Sequence, residues 1–152
     1  MLFLLVVLVV LGCKKPTSQT LSVAFYNVEN LFDTEDDPST FDEAFTPQGE
    51  MKWTQERYTE KLSNLAKVID QLTASGAPSF LGLCEVENAQ VVKDLLSQPL
   101  INDENYNLVH IESGDERGID VAFVYDTDEF EVLDYEAVAV DLSAWDDKTR
   151  DI

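Results

Sequence analysis

The chain has 152 residues, 45% of them hydrophobic, which is enough apolar material for one packed domain and excludes a disordered chain. Its 30 acidic residues stand against 10 basic ones, a formal net charge of −20, a balance that repels nucleic acid unless cations intervene and that suits recruitment of a divalent metal. Two cysteines, Cys13 and Cys84, fall in unlike settings and give neither a disulfide framework nor a zinc spacing.

In chain order, Met1 to Leu11 is almost wholly apolar. It reaches about half of the ~20 residues that a membrane span needs. Its length fits the apolar core of a secretory signal. It ends in Val10-Leu11-Gly12-Cys13, which resembles the bacterial lipoprotein processing box. That resemblance implies a signal peptide over residues 1–12 and Cys13 as the lipid-modified mature N-terminus. The protein would then be exported and anchored through lipid to a membrane of the bacterial cell envelope. An ordinary signal or a buried N-terminal strand is the alternative, and no Lys or Arg precedes the apolar run. Residues 13–20, polar and with Pro16, read as a tether.

Leu21 to Asn27 reads as a strand, a short apolar run that delivers a polar amide to its end. Asn30 to Lys52 reads as a long acidic loop, with Asp33, Glu35, Asp36, Asp37, Asp42, Glu43 and Glu50, broken by Pro38, Pro47 and Gly49. Its acids do not have the spacing of a calcium loop, so a solvated loop is expected. Thr54 opens a helix, and Tyr58, Leu62, Leu65, Ala66, Ile69 and Leu72 recur at spacings of three and four along one face. Ser75-Gly76-Ala77-Pro78 stops it. Ser79 to Cys84 is then a buried strand ending against Glu85, parallel to the first by the strand–helix–strand rule. Cys84 reads as a small buried hydrophobe. Asn88 caps a second helix, Ala89 to Ser97, with Val91, Val92, Leu95 and Leu96 inward.

After Pro99 the pattern turns to closely spaced strands: Tyr106–Ile111, Ile119–Tyr125, Phe130–Leu133 and Glu136–Leu142. Such spacing predicts antiparallel pairing. The two apolar runs ending in Asn27 and Glu85 would set a neutral oxygen ligand beside a charged one, the beginning of a site for a hard divalent cation. For Glu85 the alternative is a charged residue facing water at a strand end. His110, the only histidine, reads as a satisfied or edge-exposed side chain.

Three motifs stand in order: Tyr26-Asn27-Val28-Glu29-Asn30-Leu31-Phe32-Asp33, Gly82-Leu83-Cys84-Glu85-Val86-Glu87-Asn88, and Arg117-Gly118-Ile119-Asp120-Val121-Ala122-Phe123-Val124-Tyr125. Together they resemble the endonuclease/exonuclease/phosphatase superfamily, the deoxyribonuclease-like group, and within it a bacterial secreted lipoprotein branch. Phe45-Thr46-Pro47-Gln48-Gly49 and Trp53 to Tyr58 look like the same branch. The resemblance covers residues 21–152 and implies an α/β fold, the N-terminal half of a four-layer α/β sandwich with mixed sheets. It implies phosphoester hydrolysis, as a nuclease, phosphodiesterase or phosphatase, with Mg2+ or Mn2+ polarising the phosphate. Glu85 matches the family's metal-binding glutamate, and Asn27 the asparagine that positions metal and phosphate. Arg117 and Asp120 match a segment for which an orienting role is expected, Arg117 toward phosphate and Asp120 toward a neighbouring side chain. A local ion pair shaping the loop is the alternative for both.

The family's His-bearing segment and final Asp-His pair do not occur in these 152 residues. The expectation is therefore a partial domain, inactive by itself, with one sheet face left open and apolar. The competing reading is a non-catalytic surface lipoprotein or binding module that uses the acidic loop.

Overall fold

The computed structural model describes residues 20–74, 76–102 and 105–138. Strand β1 spans Val23–Leu31 and helix α1 spans Gln55–Asp70. Strand β2 spans Phe80–Val86 and helix α2 spans Ala89–Leu96. Strands β3, Tyr106–His110, and β4, Asp120–Asp126, follow. They form one mixed sheet in the order β1-β2-β4-β3. β1 and β2 run parallel, joined through α1, while β4 is antiparallel to both β2 and β3.

Side-chain alternation divides the sheet into two unlike faces. On one face Leu81, Leu83, Ala122 and Val124 meet the helices in a single core cluster. From α1 that cluster takes Tyr58, Leu62, Leu65, Ala66 and Ile69, and from α2 Val91, Val92 and Leu95. Full burial of each such aliphatic chain stabilises the fold by about 1.5–3 kcal/mol. Thr54 caps α1 by accepting from the Arg57 N–H, and the Asn88 side chain caps α2 by accepting from Gln90 and Val91. The opposite face carries Val23, Phe25, Val121 and Phe123, which stay 68%, 75%, 53% and 39% exposed, so the sheet has an open apolar side. There the Phe25 ring lies directly over Gly82, where an added Cβ would meet it at 2.6 Å.

Several sequence expectations shift. β1 and β2 both run past their expected ends at Asn27 and Cys84, because each carries a bulge rather than a terminus. α1 ends at Asp70, before Gly76, which instead closes a separate turn with Thr73 at φ 115°. Cys84 is half-buried on the open face rather than sealed in the core. Phe130–Leu133 is not a strand: Phe130 folds back onto Phe80 with ring centroids 3.9 Å apart, and residues 131–138 are exposed. Residues 139–142, the signal segment, Cys13 and most of the tether lie outside the described residues.

The acidic loop is more built than a solvated loop. Phe32 stacks on Phe45 at 4.2 Å, Phe45 meets Trp53 edge-on, and the Trp53 indole N–H donates to the Phe32 carbonyl. A short 3-10 turn, Glu43–Phe45, sits within it. Asp42 is 1% exposed, and burial raises its pKa above the ordinary carboxylate value.

Candidate functional site

At one end of the sheet the ladder between β1 and β2 steps from Asn27↔Cys84 to Leu31↔Val86, so three residues of β1 lie opposite the single Glu85. The ladder between β2 and β4 steps from Cys84↔Val121 to Val86↔Asp120, so Glu85 is again the extra residue. A residue that belongs to neither ladder is free to turn its side chain away from the pleat. Glu85 adopts φ 64°, and Glu29 and Asn30 opposite it adopt φ 54° and 62°. Such left-handed conformations in non-glycine residues cost roughly 1–3 kcal/mol each and persist only where the surroundings enforce them.

The enforcing contacts converge on the Glu85 carboxylate. The Asn27 amide donates to Oε1 at 2.9 Å, and the Asn30 backbone N–H donates to Oε2 at 3.1 Å. The Asn27 amide is itself oriented, because its oxygen accepts from the Glu29 N–H at 2.7 Å. From α1, the Lys61 ammonium donates to the carbonyls of Glu29 and Asn30. Burial lowers the Lys61 pKa, opposed by the Glu29 and Glu85 carboxylates. Asn27 and Glu85, far apart in sequence, are therefore brought into direct contact at two matched bulges, but the Asn27 oxygen expected as a ligand is committed to the Glu29 N–H and its NH2 group faces Glu85.

Arg117 stands on the loop between β3 and β4. Its guanidinium donates to both oxygens of Asp115 at 3.1 Å, and its backbone N–H donates to the same carboxylate. That is the loop-shaping ion pair weighed above as the alternative, yet the guanidinium also senses Glu85. Its pKa is raised, first by the Asp115 hydrogen bond and further by the charges of Asp115 and Glu85. The acidic loop docks on this segment, with the Phe41 N–H donating to the Glu116 carbonyl at 2.8 Å. Gly118, at φ 67°, leaves the room that Thr40 occupies.

Asp120 points elsewhere. Its side chain is 1% exposed, accepts from the Ser113 N–H at 2.7 Å and faces His110 Nε2 at 3.1 Å. The side chain beside Asp120 is thus His110, not Arg117.

Two residues in and beside the site carried no role in the sequence reading. Lys61 left no local signal, since its targets exist only once β1 bulges. Glu87 did leave one, standing two residues beyond Glu85. It is 9% exposed and accepts from the Asp33 N–H at 2.6 Å. Burial, with nearby Asp33, Asp42 and Asp37, pushes its pKa up to about 7 against that hydrogen bond.

The donors around Glu85 are all oxygens or N–H groups. Each carboxylate oxygen spends one acceptor position on the protein and keeps another, which fits a hard cation held by one carboxylate with water completing its shell. Beside Asn27 a cleft of about 440 Å3 opens between β1 and α1, lined by Tyr26, Asn27, Trp53, Arg57 and Lys61 among others. The model of the Endonuclease/Exonuclease/phosphatase family matches residues 22–152. No match was found among curated proteins or among solved structures.

Proposed function

The chain belongs to the endonuclease/exonuclease/phosphatase family, whose members hydrolyse phosphoesters, typically with a divalent metal, and from that premise we propose that Asn27, Glu85 and Arg117 form the N-terminal part of a phosphoesterase site using Mg2+ or Mn2+. The observation that carries the proposal is the Asn27–Glu85 contact at paired bulges, where strained backbone is spent on holding one carboxylate in one orientation. Glu85 holds the ion, with Asn27 steering its carboxylate. A bound divalent ion supplies charge stabilisation at the phosphate oxygens. Arg117, steadied by Asp115, stands ready to donate to a phosphate. Asp120 acts at one remove, fixing through Ser113 the loop that carries Arg117.

The substrate is a phosphoester, in nucleic acid or a small phosphodiester. A net charge of −20 favours small esters, because phosphate-rich polymers are repelled. One carboxylate makes a weak cation site, so the 152-residue chain alone binds metal without turning over substrate. Cys13 carries the lipid that anchors the exported protein to the cell envelope.

The test is calorimetric titration of Mg2+ and Mn2+ into the full chain, beside Glu85→Ala. Binding that disappears in the variant is the expected result. Mg2+ binding that survives Glu85→Ala removes the assignment of Glu85, and points to the acidic loop and the binding-module reading instead.

A further inference from the structure

On the helix-facing side of the sheet, the register His110↔Ala122 sets His110 diagonally across from Asp120. Both side chains are sealed from solvent, 5% and 1% exposed. His110 Nε2 and Asp120 Oδ2 approach to 3.1 Å as an ion pair, but neither atom makes an aligned hydrogen bond. Buried polar atoms left in this condition are uncommon, because each costs about 1–3 kcal/mol. The other Asp120 oxygen is committed to the Ser113 N–H, which fixes Oδ2 toward the imidazole. Glu112 flanks the other side of the imidazole, its Oε1 3.7 Å from His110 Nδ1. One ligand atom from each of the three side chains can be chosen so that all lie within 4.8 Å of one another.

We propose that His110, Glu112 and Asp120 form a second cation site, for a zinc-class divalent transition metal, separate from the Asn27–Glu85 site and independent of its assignment. The donor set decides the class. Imidazole with carboxylates suits zinc and its neighbours, whereas magnesium and calcium take oxygen shells. Zinc lies about 2.0–2.2 Å from His nitrogen and carboxylate oxygen, so two ligands at a tetrahedral angle stand about 3.4 Å apart. The observed 3.1 Å is within a few tenths of an ångström of that spacing. Glu112, 73% exposed, provides the path from solvent and closes over the ion last. The hydrogen bond from Ser113 to Asp120 is the outer contact that such a ligand needs to keep its orientation. The bound ion would tie the end of β3 to the start of β4 and fix the root of the loop that carries Arg117. The bland alternative is an imidazolium held between two carboxylates, with no affinity for metal.

Zinc is titrated into the chelator-treated full chain in competition with a chromogenic chelator, and cobalt absorption is recorded in parallel. The parent chain is compared with Glu112→Gln, His110→Gln and Glu85→Gln. The expected result is one equivalent of zinc, weakened about tenfold by Glu112→Gln and about a hundredfold by His110→Gln, and unchanged by Glu85→Gln. Cobalt should show ligand-field bands without a sulfur charge-transfer band. Equal zinc affinity in parent, Glu112→Gln and His110→Gln overturns the site, as does a parent chain that takes no zinc. A sulfur band overturns it in favour of a cysteine. Should His110→Gln fail to fold, Glu112→Gln decides, since an exposed side chain can be changed without disturbing the core.

Discussion

Replacing Glu87 by Gln should make the protein more stable at alkaline pH and leave it nearly unchanged in mild acid. The carboxyl of Glu87 is buried at the end of β2 and titrates at about 7 instead of its ordinary 4.5. Well below 4.5 the group is protonated in the folded and unfolded chains alike and contributes nothing to the pH dependence. As the pH rises from there to about 7, the unfolded chain gives up the proton first, so the fold loses stability. Above about 7 both states have released it and the loss is complete. At ~1.36 kcal/mol per pH unit, the interval from 4.5 to about 7 corresponds to a loss of about 3 kcal/mol. Gln keeps a carbonyl to accept from the Asp33 N–H and never ionises. Urea unfolding followed by circular dichroism in metal-free buffer measures the effect. The stability of Glu87→Gln relative to the parent should grow by about 2.5 kcal/mol between about pH 5 and about pH 8. A difference that stays flat across that interval refutes the reasoning.

Three further outcomes follow from the same geometry. Lys61→Met keeps the apolar stem but releases the carbonyls of Glu29 and Asn30, and should weaken Mg2+ binding about tenfold by calorimetry while α1 stays helical by circular dichroism. Gly118→Ala forces a side chain into φ 67° and against Thr40, and should lower stability by about 1–2 kcal/mol in urea unfolding. Asn88→Ala removes both cap bonds of α2 and should cost about 1 kcal/mol by the same measurement, with Asn88→Asp recovering most of it.

Much of the architecture was legible in the sequence, for local reasons. The stripe Tyr58, Leu62, Leu65, Ala66 and Ile69 has helical period and is buried, whereas Leu72, expected to continue it, lies past the helix end at Asp70 and is half-buried. Thr54 and Asn88 are caps in the structure as in the sequence, because capping depends only on neighbouring backbone. Asn27 and Glu85 were found by where their apolar runs stop, although those stops are bulges within longer strands. The partner of Asp120 was not legible. A one-residue slip between β3 and β4 would turn His110 to the opposite face, and nothing in either segment alone fixes that register. Phe130–Leu133 misled because Phe130 looks like a strand residue but is spent on the Phe80 ring.

The bulge in β1 has a bearing on what the molecule avoids. Among the described residues β1 is an outer strand, and its exposed Val23 and Phe25 would favour strand addition. The kinked stretch Val28–Asn30 interrupts that edge after Asn27, and Lys61 occupies two of the carbonyls beyond it. Along β1, among the described residues, the straight run left for an added strand is Val23–Asn27. The backbone distortion that aims Glu85 thus also shortens the straight edge that β1 can offer to an added strand.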